Sequence, residues 1–320
     1  MKLRSLRTSN LREVNARAGI FVAACGYEHR SVAISKMVSG PELKIAMCFE
    51  ESPDALSRGR NEAEFAKRGF LKYTVSGNDS RKVQEVVEGV VSKAARLSKS
   101  VAFDISSMTR AWHGGIVRQL RTMEIESELE TFFAYVPARF KGPPARVVPN
   151  EFVEPVNGFA SLTAPDLPIS LVIGMGYERE RALGLQQMLD PKLTMLMIPK
   201  SGDNDPYYTE LVRNNKIILD QTDPRRVFEY NFSEPAAAFA TLASVVTGLR
   251  ESSRVVLASL GPKIYGLMCF LLASRFSDVS VWRVSPGAHA SPRDVQADIN
   301  RIVVLSAIWE PSNRSGAGLK

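Results

Sequence analysis

The chain has 320 residues, which is too long for one small domain and fits two domains of about 150 residues each. Its 45% hydrophobic and 23% charged residues are ordinary for a globular protein, and the net charge of +7 favours an anionic partner without requiring one. The three cysteines lie in apolar runs, which argues against a disulfide framework, and no Cys/His cluster suggests a metal site.

Residues 1–18 are basic and are expected to form an N-terminal arm. They lack the apolar centre of a signal peptide, and the longest apolar run, 264–273, is too short to span a bilayer. We therefore expect a cytoplasmic protein with no membrane contact.

Strands and helices alternate in the first predicted domain, 19–155. Short apolar runs predict strands and amphipathic periodicity predicts helices. The predicted strands are 19–25, 43–49, 70–75, 101–104 and 129–136, and the predicted helices are 31–39, 62–68 (capped by Asn61), 79–97 and 110–123. This alternation indicates an α/β domain with a parallel, Rossmann-like sheet.

A loop rich in proline and arginine, 137–149, is expected to separate this domain from a second one, 165–312. The second domain repeats the order of elements. Its predicted strands are 169–174, 193–198, 226–232, 254–258, 279–284 and 302–308, and its predicted helices are 181–189, 207–214, 233–250 and 263–275.

The two halves share a motif after their first strands. Gly26-Tyr27-Glu28 follows the first strand of one half, and Gly176-Tyr177-Glu178 follows that of the other. We interpret the chain as two tandem Rossmann-like domains related by internal duplication.

Ligands of open parallel sheets bind beyond the carboxyl ends of the strands, where the strand order reverses. With the order 3-2-1-4-5, the loops after strands one and four of each half should meet there. Small residues, hydroxyls and cations at helix starts suit an anion such as a phosphate. The predicted ligand-binding residues are Gly26, Tyr27, Arg30, Ser106, Ser107, Thr109 and Arg110 in the first half and Gly176, Tyr177, Glu178, Gly261 and Lys263 in the second.

Four residues of the first half are candidates for acid/base catalysis, and each has a structural alternative. The glutamate of the motif could accept backbone hydrogen bonds or pair with Arg30, the aspartate could cap a helix, and either histidine could be a lone surface residue. These candidates are Glu28, His29, Asp104 and His113. No metal and no cofactor are expected.

The fourth strand and its loop, Val101-Ala102-Phe103-Asp104-Ile105-Ser106-Ser107-Met108-Thr109-Arg110, resemble the strand and D-x-T-G-G-T-K pattern of CARF domains. Leu260-Gly261-Pro262-Lys263 resembles a degenerate second version. Two CARF-like units in one chain are also the plan of SAVED domains. The resemblance implies Rossmann-like sensing of a cyclic oligonucleotide in prokaryotic antiviral defence.

The sequence leaves three functions open. The chain could be a nucleotide- or oligonucleotide-binding sensor or accessory subunit with a protein partner in a larger complex. It could instead cleave nucleotides or phosphodiesters with the four catalytic candidates. A third possibility is a nucleic-acid-binding scaffold that uses the basic arm and the loop 139–146.

Overall fold

Two mixed β-sheets, of seven and six strands, organise the α/β fold. The computed structural model describes residues 1–142, 150–161, 163–202, 205–285 and 292–312. The strands are β1 (Lys2–Ser9), β2 (Ala18–Cys25), β3 (Leu43–Phe49), β4 (Leu71–Val75), β5 (Ser100–Asp104), β6 (Leu129–Tyr135), β7 (Phe152–Pro155), β8 (Ile169–Gly174), β9 (Leu193–Lys200), β10 (Val227–Asn231), β11 (Arg254–Ser259), β12 (Val279–Ser285) and β13 (Val303–Glu310). The helices are α1 (Leu11–Arg17), α2 (Arg58–Lys67), α3 (Ser80–Arg96), α4 (Arg110–Thr122), α5 (Arg181–Leu189), α6 (Pro206–Asn214), α7 (Lys216–Gln221), α8 (Pro235–Arg250) and α9 (Lys263–Ala273).

Both sheets contain five parallel strands in the order 3-2-1-4-5. The first sheet runs β1-β13-β6-β5-β2-β3-β4, and the second runs β10-β9-β8-β11-β12-β7. Strands β2 to β6 pair in parallel, as do β8 to β12. The predicted α/β class and strand order are therefore confirmed. The shared order accords with duplication, which stays a prediction.

The edges of the sheets differ from the sequence expectation. The expected arm 1–18 forms β1 and α1, and β1 pairs antiparallel with β13. Strand β13, expected in the second domain, lies between β1 and β6 in the first sheet. Strand β7, assigned by sequence to the first domain, pairs with β12 in the second. The sheets therefore do not follow the predicted boundaries 19–155 and 165–312.

A buried carboxylate explains why the basic first residues join the sheet. Glu130 on β6 is 7% exposed and binds the guanidinium groups of Arg7 at 3.0 Å and Arg17 at 2.7 Å. Its carboxylate also accepts the Ser306 hydroxyl of β13 at 2.6 Å. Charges that the sequence assigned to a free arm thus neutralise an acid inside the fold.

The predicted helix 31–39 is wrong. Only a single 3₁₀ turn, His29–Val32, forms there. The Ser31 hydroxyl accepts the Gly26 amide at 3.0 Å and donates to the Ala24 carbonyl at 2.7 Å. A side chain that bonds the local backbone in this way competes with helix formation.

Helices α4 and α9 pack together between the sheets and carry one apolar core through both halves. Glycine permits their close approach. A Cβ on Gly266 of α9 would lie 2.7 Å from Arg110 Nε, and a Cβ on Gly114 of α4 would lie 3.3 Å from the Phe270 ring. The N-termini of both helices are thereby brought to the same region. None of the helices in the described part of the chain is long and apolar enough to cross a membrane.

We expect Gly174→Ala to destabilise the fold. A Cβ there would lie 2.2 Å from the ring of Tyr265, which is fully buried. Overpacking of this kind costs about 1–3 kcal/mol in the free energy of unfolding, measured by urea denaturation. Gly248→Ala on the exposed side of α8 is the matched control, since nothing lies within 4 Å of its new methyl group. The control should gain up to about 1 kcal/mol; equal stability of the two variants would contradict the packing argument.

Candidate functional site

The loops after the first and fourth parallel strands of both halves converge on one place. Arg110, the first residue of α4, crosses from the first half to the second, where its Nη2 donates to the Gly261 carbonyl at 3.0 Å. The charged groups around this contact interact across the two halves. We call them the junction site, which consists of Glu28, Arg30, Asp104, Arg110, Glu178 and Lys263.

The first Gly-Tyr-Glu turn is held by an asparagine that the sequence assigned to another role. Asn61 lies inside α2, where its Nδ2 donates to the carbonyls of Gly26 and Glu28, each at 2.8 Å. It is not the N-cap predicted from the sequence, because α2 begins three residues earlier, at Arg58.

The second turn is held in a similar way. Asn215 Nδ2 donates to the Gly176 carbonyl at 2.9 Å, and Asn214 Nδ2 donates to the Tyr177 carbonyl at 2.8 Å. Sequence reasoning missed this role of all three asparagines. The available signal was an asparagine in or directly after a short helix that follows the second parallel strand of each half.

The junction site contains three cations, Arg30 and Arg110 from the first half of the chain and Lys263 from the second. Arg30 is 7% exposed, and its Nε donates to Glu28 Oε2 at 2.7 Å. Lys263 starts α9 and is partly exposed. Burial among its neighbours, followed by repulsion from Arg30, lowers the pKa of Lys263 to about 7. A group with this pKa gains or loses its charge near neutral pH.

Two carboxyl groups share the same surroundings. Asp104 is 2% exposed, and burial raises its pKa to about 6, against the opposing effects of the Ser106 hydrogen bonds and Arg30. Burial likewise raises the pKa of Glu178, which lies 3.9 Å from Arg181. Perturbed ionisable groups that cluster in this way are typical of functional sites.

The two histidines do not form a single catalytic cluster with the other candidates, Glu28 and Asp104. His29 Nδ1 lies 2.6 Å from Asp294 Oδ2 and 2.9 Å from the Ser57 hydroxyl. Because Ser57 is closer to Nδ1 than to Nε2, the arrangement lacks the geometry of a Ser-His-Asp triad. His113 is fully buried, and burial and Arg110 lower its pKa well below the usual value. A neutral, enclosed imidazole suits a packing role.

Several predicted ligand contacts stabilise the loops themselves. The Ser106 hydroxyl accepts the Val136 amide at 2.9 Å, and the Thr109 hydroxyl caps α4 and donates to the Gly77 carbonyl at 2.7 Å. The Ser107 hydroxyl lies 3.5 Å from Glu28 Oε2 and is only half-buried. Of the three, Ser107 is the one whose hydroxyl remains available to a ligand.

The glycines of the second half allow two loops to touch. The amides of Leu260 and Gly261 donate to the Gly174 carbonyl at 2.8 and 3.0 Å. A Cβ on Gly176 would lie 2.3 Å from the Leu260 carbonyl oxygen. Close backbone packing is therefore sufficient to explain these glycines, without a phosphate.

Aromatic rings line the part of the junction site that the second half of the chain contributes. Tyr177 contacts Tyr207 and Phe140 edge-to-face, with ring centroids 5.1 and 5.6 Å apart. Burial and Glu178 raise the pKa of Tyr207 well above its usual value, so its hydroxyl stays protonated. Tyr27 in the first half is also half-buried, and burial raises its pKa. Half-exposed tyrosines of this kind offer faces on which a base can stack.

Polar atoms at the junction lack protein partners. Among the described residues, Arg110 Nε and Asp104 Oδ2 are buried without a hydrogen bond, as is Nδ1 of His113, which lies near Arg110 and Lys263. An unpaired buried donor or acceptor costs about 1–3 kcal/mol. Most buried polar groups are satisfied, so this concentration suits a site that receives a polar ligand.

In the described part of the chain, one group of potential metal donors is found, and it lies outside the junction. Cys25, Cys48 and Glu62 offer two thiols and a carboxylate within 4.8 Å of one another. The carboxylate is already bound to Arg58 at 2.8 Å and to Lys72 at 2.7 Å. Because two cationic side chains already bind the only carboxylate of this group, it is a poor site for a metal ion.

No protein-family model matches the sequence, and no curated protein matches it either.

We expect Asp104→Asn to stabilise the protein at pH 7. The folded chain binds the Asp104 proton more tightly than the unfolded chain, because burial raises its pKa from 3.8 to about 6. Stability is therefore lost as pH rises through this window. The variant should gain up to about 3 kcal/mol at pH 7 and show a flatter profile between pH 4 and 6 in chemical denaturation. Asp166→Asn, which alters an exposed carboxylate, should change little. A loss of stability at pH 7 would mean instead that Asp104 forms a net stabilising ion pair with Arg30 and Lys263.

Proposed function

We propose that the chain binds a nucleotide or oligonucleotide at the junction site and acts as a sensor or accessory subunit in prokaryotic antiviral defence. The observation that carries the binding proposal is the convergence of Arg30, Arg110 and Lys263 from two sheets on unpaired buried polar atoms. The assignment to defence rests on the CARF and SAVED resemblance of 101–110 and 260–263.

The distribution of groups around the junction suits this class of ligand. Guanidinium and ammonium groups bind phosphates, and the half-exposed Tyr27 and Tyr177 can stack on bases. Contributions from both halves fit a ligand with several phosphates better than a single mononucleotide.

The nucleic-acid scaffold is less well supported. Arg4, Arg7 and Arg17 of the expected basic arm are bound to carboxylates of Glu128, Glu13 and Glu130. Arg139, at the start of the second basic segment, donates to the Ala297 carbonyl at 3.1 Å, and residues 143–149 lie outside the described residues.

Binding should be tested by isothermal titration calorimetry with a panel of cyclic and linear oligonucleotides. Loss of one charged phosphate contact costs about 1.5–3 kcal/mol, so Arg110→Ala and Lys263→Ala should each weaken affinity roughly 10- to 100-fold. Arg179→Ala is the matched control, because Arg179 lies beside Glu178 but is exposed and paired with Glu180. Saturable binding that neither Arg110→Ala nor Lys263→Ala reduces would place the ligand elsewhere.

The affinity should also depend on pH. Lys263 attracts an anion only when protonated, and its pKa in the free protein is about 7. A bound anion raises that pKa, so affinity should fall above pH 7 by at most about tenfold per pH unit. Lys263→Arg keeps its charge and should abolish this decline. The same decline in Lys263→Arg would assign the titration to another group.

A second candidate function is hydrolysis of a bound phosphodiester. Asp104, with a pKa of about 6, and Lys263, with a pKa of about 7, can exchange protons near neutral pH. Glu28 remains a member of the junction site. His29 instead contacts Asp294 and Ser57, and His113 is enclosed in the core. Chromatography of the oligonucleotide panel after incubation tests this function: Asp104→Asn should abolish turnover and retain binding. Turnover that survives in this variant would exclude Asp104 as the acid or base.

A further inference from the structure

We propose that Cys25 and Cys48 form a peroxide-oxidisable dithiol, in which Cys48 is the reacting thiol and Cys25 the resolving thiol. The two residues are direct partners at the carboxyl ends of the parallel strands β2 and β3. Their sulfur atoms lie within 4.8 Å of each other. Neighbouring strands are about 4.8 Å apart, which falls within the range of Cα separations that a disulfide spans. A bond between them requires the two sulfur atoms to approach from their separation of up to 4.8 Å to about 2 Å.

The surroundings favour a thiolate on Cys48. Interaction with the Cys25 thiol and the positive charge of Arg58 lower the pKa of Cys48, against burial and the nearby Glu62 carboxylate, which raise it. The Cys48 thiol itself lies 3.8 Å from the Ala46 carbonyl, to which it can donate. The pairing with Cys48 raises the pKa of Cys25, so that Cys25 keeps its proton. One thiolate and one thiol in contact are the two states that the chemistry requires.

Arg58 is a second, independent sign of function. Arg58 is only 2% exposed, yet its Nη1 has no hydrogen-bond partner among the described residues. The other nitrogens bind Glu62, at 2.9 Å for Nε and 2.8 Å for Nη2. A buried cation held beside two thiols stabilises a thiolate and repels a metal ion, and this favours redox chemistry over metal binding.

Cys25 is fully buried and Cys48 is 1% exposed, so an oxidant would reach Cys48 through the groove that this residue lines. Cys48 lines a groove of about 380 Å³ between β3 and α2, together with Gly59, Glu62 and Lys72. Cys269 is also buried, but burial raises its pKa to about 12, and it does not belong to the Cys25 and Cys48 group. The third cysteine therefore provides an internal reference.

The chemistry balances with a hydroperoxide as oxidant. The Cys48 thiolate attacks the peroxide, an S–O bond forms as the O–O bond breaks, and the leaving alkoxide, or hydroxide from hydrogen peroxide, takes a proton from solvent and departs as an alcohol or as water. The Cys25 thiol then attacks the Cys48 sulfenic sulfur. An S–S bond forms, the S–O bond breaks, and the hydroxyl leaves as water with the Cys25 proton.

The experiment is oxidation of the folded, full-length chain with hydrogen peroxide, followed by thiol counting after denaturation and by peptide mass spectrometry. Reactive thiols should fall from three to one, and a Cys25–Cys48 linked peptide should appear and disappear again with dithiothreitol. Cys25→Ser should leave Cys48 as a sulfenic or sulfinic acid, and Cys48→Ser should leave Cys25 reduced. Cys269→Ser should oxidise like the wild type.

Three results would overturn the proposal. They are a disulfide that involves Cys269, oxidation of Cys25 and Cys48 no faster than of Cys269, and a copurified metal ion that protects both thiols until it is chelated. Arg58→Lys and Arg58→Met test the positioning role of the guanidinium. Oxidation of Cys48 should slow in the methionine variant and recover in part in the lysine variant, with circular dichroism as the check that both fold.

Discussion

The close approach of α4 and α9 determines where the chemistry of this protein can occur. Each helix follows the fourth parallel strand of its own sheet, and each begins with a cation, Arg110 or Lys263. Gly266 leaves room for the Arg110 side chain on the surface of α9. If the helices were held farther apart, Arg110 could not reach the Gly261 carbonyl, and the two sheets would present two separate loop clusters.

Bringing these clusters together has an electrostatic cost that the sequence does not reveal. Lys263 experiences repulsion from both Arg30 and Arg110, while Asp104 loses solvation more than it gains from the cations nearby. The resulting shifts have opposite signs, upward for the carboxyl and downward for the ammonium. Both shifts favour the neutral form, which is the expected result when charges leave water without full pairing.

Much of the framework could be predicted from the sequence because it depends on local patterns. Continuous apolar runs identified the parallel strands, and the order 3-2-1-4-5 placed the loops after strands one and four side by side. The meeting of the two halves could not be predicted, because it depends on glycines that read as ordinary helix residues. The space at these positions is limited by residues distant along the chain, Val156 and Phe270 at Gly114 and Arg110 at Gly266.

Other failures of the sequence reasoning have the same origin in long-range contacts. The basic residues Arg7 and Arg17 suggested a free arm because their partner, Glu130, is more than a hundred residues away. The run at 302–308 predicted a buried strand correctly, yet its pattern does not say which sheet the strand joins. His113 suggested acid/base catalysis because it follows a site-like loop in the sequence. Its burial could not be predicted, because it depends on both halves of the chain.

The position of β13 has a consequence for how the protein reaches this fold. Strand β13 fills the gap between β1 and β6, although all the strands of the second sheet precede it along the chain. Until it arrives, β6 has an unpaired edge whose residues, including Phe132 and Phe133, are buried in the finished fold. An exposed apolar edge is a site of aggregation, and contacts between distant segments form slowly. During synthesis β2 to β6 emerge before the strands of the second sheet, but the first sheet cannot be completed until β13 has emerged after them.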